Sequence, residues 1–382
     1  MAAEGVSPCA MIVAGEASGD LYGARLAREL ENILPDITCY GLGGEHMRKA
    51  GVHLLADVSE LSVIGLVEVI KHYPRLRSIL KTMKRELKRI HPDVLVLIDS
   101  PDFNLPLAKH AARCGIRVMY YVSPQIWAWR SSRIRVIRKC VDHMATVFPF
   151  EEKFYRDAGV PVEYVGHPLV EDAHSSMGRD AFLKAHRLSA DKKLVGLFPG
   201  SRTSEVEHNF PTLVQAAGAL ARQRSDVQFV VPVASTLPAD LVQRFIRDTE
   251  ITTSTAGIYD VIHACDAIAA TSGTVTLQIT LMQTPMLIIY KVSPLTFRIL
   301  SRLVNFTYAG IANVIAGKLI SREFIQHEAT ADNVAGELQR LLSDPDYTAR
   351  MKKEMGDIRD ALGEKNGSAE AARLAVRLMN SG

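Results

Sequence analysis

Asp99 and Asp102 stand directly behind an unbroken apolar run, Val94–Ile98, in the segment Asp99-Ser-Pro-Asp-Phe-Asn104. An apolar run without alternation reads as a strand buried on both faces. Ligands of parallel sheets bind beyond the carboxyl ends of the strands. A carboxylate held there can draw a proton from an acceptor hydroxyl, general-base work of roughly 10²–10⁴ in rate. Asp99, Asp102 and Asn104 are therefore site candidates, although the same residues also suit a turn and cap ahead of Pro101. Three further segments occupy equivalent places. Gly15-Glu-Ala-Ser-Gly-Asp20 follows the apolar Met11–Ala14; its glycines permit close approach and the next helix N-terminus favours an anion, but it lacks the GK[ST] of a P-loop. Glu16, Ser18, Gly19 and Asp20 are candidates there, or else the segment is a tight turn capped by Ser18 or Asp20. Pro199-Gly200-Ser201-Arg202 offers amides, a hydroxyl and a guanidinium, a set suited to a diphosphate. Thr271-Ser272-Gly273-Thr274 offers hydroxyls and helix amides for a pyrophosphate, or plain N-capping.

The elements that must position these loops alternate strand, loop and helix. The first series runs through Met11–Ala14, a helix at Leu21–Leu34, Val94–Ile98 and Arg117–Val122. The second runs through Leu194–Phe198, a helix from Glu205 to Gln223, Val227–Val233, Ala267–Ala270 and Met286–Tyr290. Such alternation implies parallel sheets with right-handed crossovers. The predicted fold is α/β with two Rossmann-like domains, residues 1–185 and 186–355, divided within the polar stretch Ala173–Asp191. The last stretch, Asp344–Asn380, reads as helices rich in Ala, Arg and Glu, and residues 356–382 are set apart as a final block. The two phosphate-type loops assign a nucleotide to the second domain, with the reaction in a cleft shared with the first.

The 382 residues suffice for two or three domains of roughly 150 residues. The net charge of +3 excludes a global polycation, so anion preference must be local. The dispersed cysteines Cys9, Cys39, Cys114, Cys140 and Cys265 form no CxxC pair, which argues against a zinc ribbon or a disulfide framework and fits a reducing compartment. Neither a signal peptide nor a run of about 18 apolar residues is evident. No metal motif emerges: Asp344-Pro-Asp346 spells DxD but lies among predicted helices. His167, in Val165-Gly-His-Pro-Leu169, is placed either to face the cleft or to pack beside a turn proline.

Leu61–Arg89 is the membrane candidate. Leu61–Ile70 is apolar apart from Ser62, Gly65 and Glu68; past Pro74 a basic helix is expected. There Arg77, Lys81, Lys84 and Lys88 share a face flanked by Arg75, Arg85 and Arg89, with Leu76, Leu80, Met83, Leu87 and Ile90 opposite. An apolar surface beside a basic one fits an anionic lipid surface, or a buried helix followed by a solvated one. Interleaved aromatics are too few for a nucleic-acid surface.

Taken together, these segments resemble the lipid-A-disaccharide synthase family, glycosyltransferase family 19. The resemblance covers nearly the whole chain. Its most specific stretch is Tyr121-Val-Ser-Pro-Gln-Ile-Trp-Ala-Trp-Arg130. Val13–Asp20, Ile98–Asn104, Phe148-Pro-Phe-Glu-Glu-Lys-Phe-Tyr155, Val165–Pro168 and Leu197–Arg202 add to it. It implies a GT-B fold, two facing Rossmann-like domains with the final helix, residues 356–382, crossing back onto the first domain or, in a homodimer, onto a partner subunit. It implies UDP-2,3-diacylglucosamine as donor and 2,3-diacylglucosamine 1-phosphate as acceptor, inversion to a β(1→6) disaccharide plus UDP, no metal or other cofactor, and a peripheral place on the cytoplasmic face of the inner membrane. By resemblance Asp99 is the base, Ser201 and Arg202 the diphosphate loop, Thr271–Thr274 the second nucleotide loop, and Asn313 the Asn-x-x-Ala-Gly segment of the cleft. Trp127, Trp129 and Arg130 border the cleft or pack as core indoles. Two positions depart from the family: Gln278 stands where a Glu is usual, and Ile311-Ala312 where Leu-Pro is. An amide offers the ribose one acceptor oxygen, a carboxylate two. A UDP-sugar epimerase and a non-catalytic sugar-nucleotide-binding membrane protein remain as other readings.

Overall fold

A computed structural model describes residues 7–58, 66–124, 126, 131–238, 240–294, 297–298 and 308–381. The chain divides into two units, residues 1–168 with 362–382, and residues 169–361.

The first unit carries β1 (Cys9–Ala14), α1 (Ala17–Ile33), β2 (Thr38–Gly43), α2 (Glu45–Lys49), β3 (His53–Asp57), α3 (Leu66–Ile90), β4 (Val94–Ile98), α4 (Pro101–Arg113), β5 (Arg117–Tyr121), α5 (Ile134–Cys140), β6 (His143–Thr146), α6 (Pro149–Asp157) and β7 (Val162–Tyr164). The strands form one parallel sheet in the order β3-β2-β1-β4-β5-β6-β7. Its direction of growth reverses between β1 and β4, which makes that gap the crevice where ligands of such sheets bind. Met11, Val13, Leu95, Leu97, Val118 and Tyr120 turn to one face, where they pack against α3, α4 and α5. On the other face lie α1 and the C-terminal helix Gly367–Met379. The burial of β1 and β4 on both sides explains their unbroken apolar sequences.

The expected boundaries shift. The first unit ends at Pro168, not near residue 185. The reason is a long-range tie: Asp260 accepts hydrogen bonds from the Ser175 hydroxyl (2.7 Å) and the amides of Ser176 and Met177 (2.7 and 2.9 Å), so this stretch belongs to the second unit. At the other end residue 356 lies inside the unbroken helix Pro345–Leu362. The tail from Leu362 joins the first unit: the Tyr164 hydroxyl donates to Leu362 O (2.5 Å), Lys365 Nζ to Tyr164 O (2.9 Å), and Arg377 pairs with Glu163.

Pro74 does not open a new helix. It lies exposed inside the continuous α3, although a proline removes one helical hydrogen bond. From residue 74 on, the expected faces are present: Arg75, Arg77, Lys81, Arg85, Lys88 and Arg89 are exposed, while Leu76, Leu80, Met83, Leu87 and Ile90 pack on the core. Residues 61–65 and the side chains of 66–73 lie outside the described part. Among the described residues no helix is long and apolar enough to cross a membrane.

The second unit holds α7 (Leu169–Asp172), α8 (Arg179–Ala185), β8 (Lys193–Phe198), α9 (Thr203–Gln223), β9 (Val227–Pro232), α10 (Gln243–Ile246), β10 (Ile251–Ser254), α11 (Ile258–Ala264), β11 (Ala267–Thr271), α12 (Thr274–Leu281), β12 (Met286–Tyr290), the helix Ile311–Ala316, β13 (Glu323–Ile325), and the helices Ala331–Ser343 and Pro345–Leu362. Its parallel sheet runs β10-β9-β8-β11-β12-β13, with the reversal between β8 and β11.

Candidate active site

Each sheet thus has one switch point, and the candidate loops sit on both. In the first unit the β1–α1 and β4–α4 loops flank the gap. A Cβ at Gly15 would overlap the Ser100 side chain, so only glycine lets the loops meet. Asp99 (φ 47°) and Ser100 (φ 41°) both lie in the left-handed region, as does the β-branched Val122 (φ 59°) at the end of β5. Such strain at side-chain-bearing residues persists only where surrounding contacts enforce it, and it gathers at functional sites. The enforcing contacts are visible. The Asn104 amide nitrogen donates to Ile98 O (3.0 Å) and Asp99 O (2.8 Å), and the Tyr120 hydroxyl donates to Asp99 O (2.5 Å). Burial, and after it the Asp99 charge, holds the Tyr120 phenol well above its ordinary range, so it remains a donor. Asn104 is buried, and its amide nitrogen shapes the Asp99 turn.

Asp99 is half-buried at the strand end. Asp102 is different: 72% exposed and paired with Arg133. Glu16 caps α1 with its backbone and is half-buried, as is Ser18. Gly19 is a packing residue, because a Cβ there would crowd Ala14 (3.2 Å) and Ile98 (3.4 Å). Asp20 leaves the ligand set. Its buried carboxylate accepts from the amides of Gly44 (2.6 Å), His46 (3.0 Å) and Met47 (3.0 Å), capping α2. His167 is also internal. It packs on the ring of Phe148 (centroids 5.1 Å) and edge-on to Tyr22 (6.3 Å), and burial pushes it down to about 3. Trp127, Trp129 and Arg130 lie outside the described residues.

In the second unit the Pro199–Arg202 turn leaves β8 with Gly200 at φ +109° and enters α9. The Ser201 amide (3.0 Å), the Arg202 amide (3.3 Å) and the Arg202 guanidinium (2.6 Å) all donate to the Glu205 carboxylate. Across the switch, Gly273 and Thr274 are exposed at the N-terminus of α12, whose first amides lack helical partners. Thr271 is buried at the end of β11. The Ser272 hydroxyl donates to Ala309 O (2.7 Å), and that segment is clamped by Glu323, which accepts from Ala309 N (2.7 Å), Gly310 N (2.8 Å) and Asn313 Nδ2 (2.7 Å). Asn313 is buried and also accepts from the amides of Ile320 (2.8 Å) and Ser321 (3.0 Å). Its side chain ties the 309–313 segment to residues 320–323. Gln278 is half-buried on α12.

Sequence reading missed Tyr120, Glu205, Tyr290 and Glu323. Tyr290 ends β12, and its phenol is raised by burial and then by the Glu205 charge. Its position at a strand's carboxyl end was the available signal. Among the described residues no group of three or more His, Cys, Asp or Glu could hold a metal ion. Asp344 instead caps the following helix through the Tyr347 amide (2.9 Å).

Solved structures share this architecture. A putative UDP-N-acetylglucosamine 2-epimerase from Listeria monocytogenes superposes with a TM-score of 0.65 at 12% identity, covering 96% of this chain and 94% of its own. The glycotransferase of kitacinnamycin does so at 0.63 and 15%, over 98% and 99%. The fold and the paired switch-point loops define a GT-B type protein, two Rossmann-like units in one chain. The family profile described as Lipid-A-disaccharide synthetase matches residues 10–376. Lipid-A-disaccharide synthases of Geobacter metallireducens and Coxiella burnetii are 45% and 41% identical over 371 residues, the first covering 97% of both chains and the second 97% and 98%. The chain belongs to the lipid-A-disaccharide synthase family, hexosyltransferases of lipid A biosynthesis.

Proposed function

We propose that the second unit binds UDP-2,3-diacylglucosamine and that Asp99 of the first unit activates the C6 hydroxyl of 2,3-diacylglucosamine 1-phosphate. The hydroxyl attacks the donor's anomeric carbon as its proton passes to Asp99. The anomeric C–O bond breaks with inversion, and the electron pair leaves on UDP. Arg202, the Ser201 amide and the first turn of α12 stabilise the growing diphosphate charge, so no metal is required. The products are the β(1→6) disaccharide 1-phosphate and UDP. The observation that carries this reading is the strained Asp99–Ser100 turn at one switch point, with two anion-type loops at the other. The epimerase of Neisseria meningitidis, of like fold at TM-score 0.63, was solved bound to UDP-GlcNAc, which supports a sugar nucleotide as ligand.

The basic face of α3 suits the headgroups of an anionic membrane, which would place the enzyme peripherally on the cytoplasmic face of the inner membrane. Mass spectrometry of a reaction containing both lipids and EDTA tests the proposal. Equal amounts of disaccharide 1-phosphate and UDP are expected. Epimerised UDP-sugar formed without acceptor, or activity lost to EDTA, would contradict it.

A further inference from the structure

The turn proposed to take the diphosphate already holds an anion of its own. Glu205 Oε2 receives the Ser201 amide (3.0 Å) and the Arg202 amide (3.3 Å), and Oε1 receives Arg202 Nη1 (2.6 Å). Three donors therefore converge on one carboxylate at the mouth of a helix, the arrangement that receives a phosphate oxygen elsewhere. The turn is shaped around this occupant: Gly200 sits at φ +109°, and a Cβ there would lie 2.7 Å from that of Glu205. The Arg202 side chain is 51% exposed, so its pairing is weak enough to exchange.

We propose that Glu205 is a resident anion of this turn, which keeps the amides and the guanidinium gathered in the empty enzyme and yields them to the diphosphate. The inference rests on the diphosphate reading of the turn. Substrate and carboxylate then compete for the same donors. The glutamate weakens nucleotide binding, and it eases UDP release by retaking its place.

Calorimetric titration of the full chain with UDP and with uridine tests this. Glu205→Gln keeps an acceptor oxygen for the helix cap but removes the charge. It should bind UDP about three- to fivefold more tightly and uridine as before. Arg202→Ala should bind UDP more weakly. If Arg202→Ala weakens UDP while Glu205→Gln leaves it unchanged or weaker, the resident-anion inference fails and the site stands. If Arg202→Ala binds UDP normally, the site itself is elsewhere and both fail. A UDP-bound structure of the unaltered protein gives the same answer without a variant: the Glu205 carboxylate must have left the Ser201 and Arg202 amides, and its retention there would overturn the proposal.

Discussion

At the scale of single residues, position at a strand end does not decide what an acidic side chain does; its partners decide. Asp99 lies in the β4–α4 loop and Asp20 in the first turn of α1, both beside the same switch point, yet Asp20 is committed to three amides at the start of α2. Asp99→Ala should lower turnover by at least about 10²-fold while UDP affinity, read by calorimetry, stays within twofold. Asp102→Asn should retain most activity, because that carboxylate is exposed and paired with Arg133. Gln278→Glu restores a second acceptor oxygen, and a tighter UDP dissociation constant is expected. His167 gives a stability signature. Its folded value, about 3, lies below the ordinary 6.5, so the unfolded chain binds the extra proton between those values. Stability is complete above pH 6.5 and falls as pH drops, by about 2 kcal/mol between pH 6.5 and 5. Urea melts across that range should show the loss, and His167→Asn should flatten it.

At the scale of elements, the strands were readable and the forces that shape their ends were not. Val94–Ile98 is uniformly apolar because both faces of β4 are covered, and that sequence alone marks it. The left-handed pair Asp99–Ser100 carries no such mark, since neither residue is glycine; it is imposed by Asn104 and Tyr120. Likewise Glu323 acts on Ala309 and Gly310 from a separate strand, and no local pattern shows it. The close approach of the β1 and β4 loops makes a direct prediction. Gly15→Ala should cut turnover about tenfold or more by forcing the Ser100 side chain away. Ser100→Gly in the same chain should recover much of it, since glycine also suits φ 41° there. Turnover of the two single variants and the double variant, each checked for fold by circular dichroism, decides this.

At the scale of the whole molecule, two sheets each reverse their growth once, and the proposed chemistry divides between the two reversals. The two-unit plan was legible because strand and helix alternate twice along the chain. The division at Pro168 was not, because the ties of Asp260 to residues 175–177 cross more than 80 residues of sequence. In the proposed mechanism the second unit holds the nucleotide and the first seats the base. A crystal structure of the protein with UDP tests that division most directly. The diphosphate is expected within hydrogen-bond distance of the Ser201 amide, the Arg202 guanidinium and the first turn of α12. UDP seated between the β1 and β4 loops, with its phosphates against Gly15–Ser18, would contradict it.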